Sequence, residues 1–277
     1  MSDRKIPLAG VIGCPVAHSR SPQIQNHWLK TYEIAGYYVP MHVEPQDLET
    51  VIRSLPKAGF VGANVTIPHK EAVMQIADKV TDRATLMGAA NTLIFREDGS
   101  VLADNTDGYG FITNLHQGAP DWKPNGGPAL VLGAGGACRA VIASLVEAGV
   151  PEIMLSNRTR ERADQLRKEF GKRIQVIDWV KAGNAVEDAS LVVNATSLGM
   201  EGKRPLRVPM DGLQTSCVVT DLVYTPLKTD LIQAGEDAGC TVVDGLGMLL
   251  HQAVPGFERW FGQRPKVDEA TRAAALA

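Results

Sequence analysis

Two groups of residues have types and spacings suited to chemistry, and the first is a glycine loop with an arginine cluster after it. Gly133-Ala134-Gly135-Gly136-Ala137-Cys138 follows the apolar run Ala129 to Leu132 and opens a helical pattern from Gly136 to Ala148. In that context glycines at 133 and 135 allow a tight turn and close approach of the backbone to a pyrophosphate, which helix N-terminal N–H groups can bind. The third position of the pattern is Cys138, a small residue that still permits helix packing. A plain glycine turn between a strand and a helix is the alternative. About 24 residues on, where NAD-binding chains usually carry an acid for the ribose hydroxyls, stand Ser156-Asn157-Arg158-Thr159-Arg160-Glu161-Arg162. Arg158 and Arg162 can pair with a 2′-phosphate that an acid would repel, which favours NADP over NAD. The alternative is that these arginines only solvate a helix start, although the helix dipole disfavours cations there.

The second group centres on Lys70, in Asn64-Val65-Thr66-Ile67-Pro68-His69-Lys70. It is expected in or near a helix first turn, where a cation opposes the dipole, and such a broken local rule tends to mark a functional position. Its ammonium could donate to a carbonyl oxygen that becomes an alkoxide as hydride arrives; a surface lysine is the other reading. Asp107, in Asp104-Asn105-Thr106-Asp107-Gly108, reads as an acid–base partner or as a helix N-cap. Ser19 and Ser21, before Pro22, could offer hydroxyls to a small carboxylate, with Ser21 equally an N-cap. Cys14 and His18 suggest a thiol nucleophile, but a Pro-containing loop separates them and no orienting acid follows. The six histidines form no H-x-x-x-H or Cys–His spacing, so no metal is expected.

The elements that must position these residues alternate regularly. Strands are expected at Ile6 to Ile12, Tyr37 to Val43 and Phe60 to Val65, with helices from Ser21 toward Gly36 and over Leu48 to Leu55, an order that implies parallel pairing. A hairpin follows, Asn91 to Arg96 and Ser100 to Ala103, across Glu97-Asp98-Gly99. The turn-rich segment from Gly118 to Pro128 falls just inside a second domain. There the strands Ala129 to Leu132, Glu152 to Asn157, Arg173 to Ile177, Leu191 to Ala195, Cys217 to Leu222 and Thr241 to Val243 alternate with helices, the doubly wound pattern. The Ala-rich end, Ala270 to Ala277, reads as a frayed helix.

Length and composition agree. At roughly 150 residues per domain, 277 residues make about two domains, and 44% apolar with 21% charged residues excludes disorder and long coiled coils. A net charge of −3, from 28 basic and 31 acidic residues, offers no broad cationic surface for nucleic acid or anionic lipid. Four scattered cysteines indicate a reducing compartment, and no apolar stretch has membrane-spanning length. Asp3-Arg4-Lys5 followed by Ile6 to Ile12 superficially resembles a leader, but Pro7, Gly10 and Gly13 interrupt the run and a first strand is the better reading.

Taken together, Val11-Ile12-Gly13-Cys14-Pro15 with His18-Ser19-Arg20-Ser21-Pro22, Asn64 to Lys70, Gly88-Ala89-Ala90-Asn91-Thr92, Asp104 to Gly108, Gly133 to Gly136, Asn157-Arg158-Thr159 with Arg162-Ala163, Asn194-Ala195-Thr196-Ser197, Asp221-Leu222-Val223-Tyr224 and Asp244 to Met248 with Gln252 resemble the shikimate dehydrogenase family along nearly the whole chain. Cys138 and Gln25 depart from it, standing where serine and histidine are frequent. The resemblance implies an α/β fold of two domains: a substrate-binding and catalytic domain of residues 1–110 and 246–277, and a doubly wound, Rossmann-type NADP domain of 111–245, with a cleft between them. It implies reversible NADPH-dependent reduction of 3-dehydroshikimate to shikimate, in aromatic amino acid (chorismate) biosynthesis, by a cytoplasmic enzyme for which a homodimer is one option. Lys70 and Asp107 would be the catalytic pair. Ser19, Ser21, Thr66, Asn91, Tyr224 and Gln252 would surround substrate, while Gly133, Ala134, Gly135, Gly136, Asn157, Arg158, Thr159, Arg162, Thr196, Leu222, Gly245 and Met248 would face NADP. Two other readings stay open: a quinate/shikimate dehydrogenase using NAD or NADP, and a catalytically silent NADPH-binding regulatory protein on the same fold.

Overall fold

The computed structural model describes residues 6–277, so Asp3-Arg4-Lys5 of the leader-like start lies outside the described residues. The chain divides into two units, Met1–Thr106 with Leu250–Ala277, and Asp107–Leu249. These boundaries fall at 106 and 249, against expectations of 110 and 245.

The first unit contains β1 (Leu8–Gly13), α1 (Ser21–Thr31), β2 (Tyr37–His42), α2 (Leu48–Ser54), β3 (Phe60–Val65), α3 (Val73–Ile76), β4 (Lys79–Val80), α4 (Asp82–Met87), β5 (Thr92–Phe95) and β6 (Val101–Asp104). Its sheet runs β2-β1-β3-β5-β6-β4. The three strands joined through helices pair in parallel, as expected, but β5 is antiparallel to both β3 and β6. The sheet is therefore mixed, because a short hairpin can join only antiparallel neighbours. Gly99, at φ +82, and the Asp98 carboxylate, which accepts the Ser100 N–H at 2.9 Å, close that hairpin. One sheet face buries Ile12, Val65, Leu93 and Ala103 with Leu48 and Ile52 of α2. Trp28 of α1 meets Phe257 edge-on at 5.4 Å, adding an aromatic contact from α9 (Leu246–Phe261).

Several local expectations are corrected. Ser21 is the first residue of α1 and not its cap; Arg20 precedes it without a side-chain cap, and Ser19 Oγ accepts the Ser21 N–H at 3.3 Å. The helix stops at Thr31, well before Gly36, and Glu33 follows at φ +53. The helix expected near Lys70 is only the four-residue α3, and β4 and α4 were not expected, since elements of two and six residues are too brief to show a period. The Ala-rich end is α10 (Glu269–Leu276), and it is anchored: Asp268 Oδ1 accepts the Thr271 N–H at 2.9 Å, and Trp28 Nε1 donates to Thr271 Oγ1 at 3.2 Å.

The second unit comprises α5 (Asp107–Gly118), β7 (Ala129–Leu132), α6 (Gly136–Ala148), β8 (Ile153–Ser156), α7 (Arg160–Phe170), β9 (Ile174–Ile177), β10 (Leu191–Asn194), β11 (Val218–Asp221), α8 (Asp230–Asp237) and β12 (Thr241–Val243). All its strands are parallel, in the order β9-β8-β7-β10-β11-β12. Val131, Leu155 and Val193 pack on one face against Val141 and Leu145 of α6, while Leu130, Leu132 and Val192 pack on the other with Val186 and Leu231. Burial on both faces explains why these strands are continuous apolar runs. No helix among the described residues is long and apolar enough to cross a membrane.

Candidate functional site

In the second unit the strand order reverses at β7, whose neighbours are β8 and β10, and ligands of open α/β sheets bind beyond the carboxyl ends of strands at such a point. Gly133 leaves β7 at φ +112, its N–H donating to Ser156 O at 2.7 Å. A Cβ added there would come within 2.7 Å of Thr196 Cγ2 and 3.0 Å of the Ala195 carbonyl carbon, so glycine is required twice over. Gly135 precedes α6 in extended backbone with no side-chain cap, and at Gly135 and Gly136 an added Cβ would meet nothing within 4 Å. The loop thus leaves the α6 N-terminus without a side-chain cap and with open space beside Gly135 and Gly136, as a pyrophosphate requires.

Polar side chains fix the surrounding loops. Asn157 Oδ1 accepts the Ala134 N–H at 3.1 Å and its Nδ2 donates to Thr159 O at 2.7 Å, tying the loop after β8 to the glycine loop. Asn194 Oδ1 accepts from Thr196 N at 3.1 Å and Thr196 Oγ1 at 2.7 Å, while its Nδ2 donates to Asp221 Oδ1 at 2.9 Å. Burial pushes the Asp221 carboxyl pKa up, against hydrogen bonds from Val223 N–H, Thr229 Oγ1 and Asn194. A Cβ on Gly245 would press on the Leu222 carbonyl at 2.6 Å, and Ala134, Leu222 and Met248 all pack on the core beneath. Tyr224 lies three residues past β11, half-buried.

A pocket of ≈ 650 Å³ opens beside these loops, lined by Asn157, Arg158, Trp179, Thr196, Arg204 and Arg207 among others. That volume is in the range of small-molecule sites. The arginine cluster is thereby sorted: Arg158 lines the pocket, Arg160 is engaged with Asp178 and, at 3.6 Å, Asp164, and exposed Arg162 on α7 does not line it. Trp179, Arg204 and Arg207 are missing from the sequence expectations. The signal for the last two was the basic run Lys203-Arg204 and Arg207 just after the Asn194 to Ser197 motif.

The first unit gathers most of the other expected residues. Lys70 is half-buried in a turn three residues before α3, not in a helical turn; its carbonyl accepts the Ala90 N–H at 2.8 Å, which holds the turn against the segment carrying Asn91. Thr66 N–H donates to Ile12 O at 2.9 Å. Asn91 Oδ1 accepts from Thr106 N at 2.9 Å, Thr106 Oγ1 at 3.1 Å and Thr92 Oγ1 at 2.9 Å, leaving its amide to donate to Gln252 Oε1 at 3.2 Å. The single Thr106 hydroxyl proton is shared between Asn91 Oδ1 and Gln252 O, the latter at 2.8 Å, which ties α9 to this network. Tyr38 OH donates to Asn64 Oδ1 at 2.6 Å, and Asn64 Nδ2 to Asn91 O at 3.1 Å. Buried Ser21 faces this network through Tyr38, whose hydroxyl pKa burial raises well above its ordinary value. Gln25, fully buried, donates to Ala253 O at 3.4 Å. Asp107 begins α5, in the second unit.

Fold and site together define a two-unit α/β protein with a Rossmann-type dinucleotide-binding sheet. Residues 11–93 match the model of the shikimate dehydrogenase substrate binding domain, residues 122–200 that of shikimate / quinate 5-dehydrogenase, and residues 245–275 that of the shikimate 5′-dehydrogenase C-terminal domain. The chain belongs to the shikimate dehydrogenase (NADP+) family. It is 72% identical, over 100% of both chains, to shikimate dehydrogenase (NADP(+)) of Ruegeria sp. (strain TM1040). Among solved structures, quinate dehydrogenase from Corynebacterium glutamicum in complex with NAD is similar at TM-score 0.91 and 30% identity, covering 99% of each chain. Shikimate 5-dehydrogenase from Thermus thermophilus in complex with NADP(H) and shikimate is similar at TM-score 0.85 and 36% identity, covering 98% of each.

Proposed function

We propose that this chain catalyses the reversible NADPH-dependent reduction of 3-dehydroshikimate to shikimate, as a cytoplasmic enzyme of aromatic amino acid biosynthesis. The observation that carries this reading is the full-length 72% identity to a shikimate dehydrogenase (NADP(+)). The residues of the second unit fit the cofactor: glycines that leave the α6 N-terminus open, and a pocket with three guanidinium groups for a 2′-phosphate. NADPH, when bound, supplies hydride to the carbonyl carbon.

The chain's own residues then do the rest. Lys70 donates a proton to the carbonyl oxygen as charge develops on it, and Asp107 holds and tunes the lysine. Gln252 and Asn91, joined by their amides, with Ser19, Ser21 and Thr66, bind the hydroxyls and carboxylate of the substrate. Tyr224 borders substrate, and Gly133, Ala134, Gly135, Gly136, Asn157, Arg158, Thr159, Thr196, Leu222, Gly245 and Met248 face the cofactor. Arg162 serves by long-range attraction, since it does not line the pocket.

The test is shikimate-dependent reduction of NADP by the purified protein, followed by the absorbance of the reduced nicotinamide. The similarity to a quinate dehydrogenase in complex with NAD motivates a second reading, a quinate/shikimate enzyme using NAD. A side-by-side assay with both substrates and both cofactors separates them: preference for quinate with NAD overturns the first reading.

A further inference from the structure

A cluster of unlike side chains sits at the carboxyl ends of two neighbouring parallel strands. Gly13, the last residue of β1, is in register with His42, the last of β2. Cys14 stands one residue beyond the first strand and Glu44 two beyond the second. Cys14 Sγ lies 3.5 Å from His42 Nε2 and donates to Glu44 Oε2 at 3.5 Å, and His42 Nε2 lies 3.1 Å from Glu44 Oε1. One ligand atom from each residue falls within 4.8 Å of the others.

Two features separate this cluster from an ordinary surface hydrogen-bond network. A tetrahedral ion with sulfur at about 2.3 Å, imidazole nitrogen at about 2.05 Å and carboxylate oxygen at about 2.1 Å has donor atoms about 3.4–3.6 Å apart. The Sγ–Nε2 separation of 3.5 Å already matches, while thiol and imidazole are nearest to different Glu44 oxygens. With one carboxylate oxygen as ligand the three donor atoms lie within 4.8 Å of one another, and Glu44 must shift to close on the ion. The backbone beneath is also held from three directions. Val43 N–H donates to Gly13 O at 3.2 Å, and Val43 O lies 2.8 Å from Nε2 of buried His69. Cys14 N–H donates to Ile67 O at 3.1 Å. With Val43 pinned and its side chain buried, His42 and Glu44 share the outward face, where they are 54% and 49% exposed. Little further ordering is needed for an ion arriving from solvent.

We propose that Cys14, His42 and Glu44 bind a thiophilic divalent cation of the zinc class, with water at the fourth position. Thiol and imidazole ligands exclude magnesium and calcium, which take oxygen donors. Binding replaces the S–H bond by a sulfur–metal bond and releases the thiol proton to solvent. Reduced full-length protein titrated with zinc against a chromophoric chelator should bind one equivalent. Zinc should also suppress alkylation of Cys14, the one cysteine of four that is not buried. Cys14→Ser and His42→Ala should each weaken zinc by roughly 100-fold or more, beyond the 10–100-fold cost of losing a group behind a ligand. Both changes fall on half-exposed side chains, and unchanged thermal unfolding of the metal-free variants shows that they fold. Failure to compete with the chelator, stoichiometric binding that survives Cys14→Ser, or Cys14 alkylation indifferent to zinc each overturns the proposal.

Discussion

At the scale of single residues, the proposed chemistry makes separable demands on Lys70 and the pocket arginines. Lys70→Ala should lower kcat by roughly 10²–10⁴-fold, the usual contribution of a positioned proton donor, while NADPH binding measured by fluorescence stays close to wild type. Near-wild-type kcat would remove the lysine from the reaction. Arg158→Ala should weaken NADPH by roughly 10–100-fold, the loss of about 1.5–3 kcal/mol for a charged hydrogen bond, and leave NADH almost unchanged. Arg204→Ala and Arg207→Ala should show the same asymmetry at smaller size, because they approach the pocket from a loop without helix or strand. Equal loss for both cofactors would mean that these groups recognise something other than the 2′-phosphate. Arg158 was legible because it follows a strand at a fixed distance from a glycine loop. Arg204 and Arg207 were not, since the loop that brings them back has no periodicity to read. The same holds for Cys14, His42 and Glu44: a separation of 28 residues between thiol and imidazole conceals a contact that strand register creates.

At the scale of elements, periodicity and punctuation carried most of the second unit, where the central strands are buried, mainly apolar runs and each helix ends on glycine or a charged turn. They failed where elements are short or where capping is indirect. α3 and β4 have too few residues for any pattern, and Ser21 looks like an N-cap in sequence although the acceptor that meets its N–H belongs to Ser19. Close packing between elements is likewise invisible in composition. Gly62 on β3 faces Trp260 of α9, whose indole N–H donates to Leu93 O at 3.0 Å, and an added Cβ would run into both the indole and that carbonyl. A backbone oxygen cannot yield as a flexible side chain can. Gly62→Ala should therefore cost about 1–3 kcal/mol, read as a lower urea midpoint at unchanged m-value. A midpoint equal to wild type would show that the strand and α9 can separate without loss.

At the scale of the whole molecule, the count of two units was legible from length and from the turn-rich break before β7, whereas the return of residues 250–277 to the first unit followed only from the family resemblance. No motif in that stretch states which sheet it covers; the aromatic contacts of Phe257 and Trp260 do so in three dimensions. This returning segment also carries a titratable group into the core. His251 is 7% exposed, and burial pushes its pKa from 6.5 down to about 4. The folded state therefore keeps the imidazole neutral while the unfolded chain protonates it. The stability this group contributes is intact above pH 6.5 and is lost as pH falls from 6.5 toward 4, where the folded state protonates too. At about pH 5 the loss should be about 2 kcal/mol, from the 1.36 kcal/mol that one pKa unit represents. His251→Gln retains a polar side chain that does not titrate. Urea unfolding of both proteins at about pH 7.5 and about pH 5 should show the wild type losing about 2 kcal/mol more than the variant between the two conditions. Identical losses would place the acid sensitivity of the fold in other groups and leave His251 with a pKa close to that of the unfolded chain.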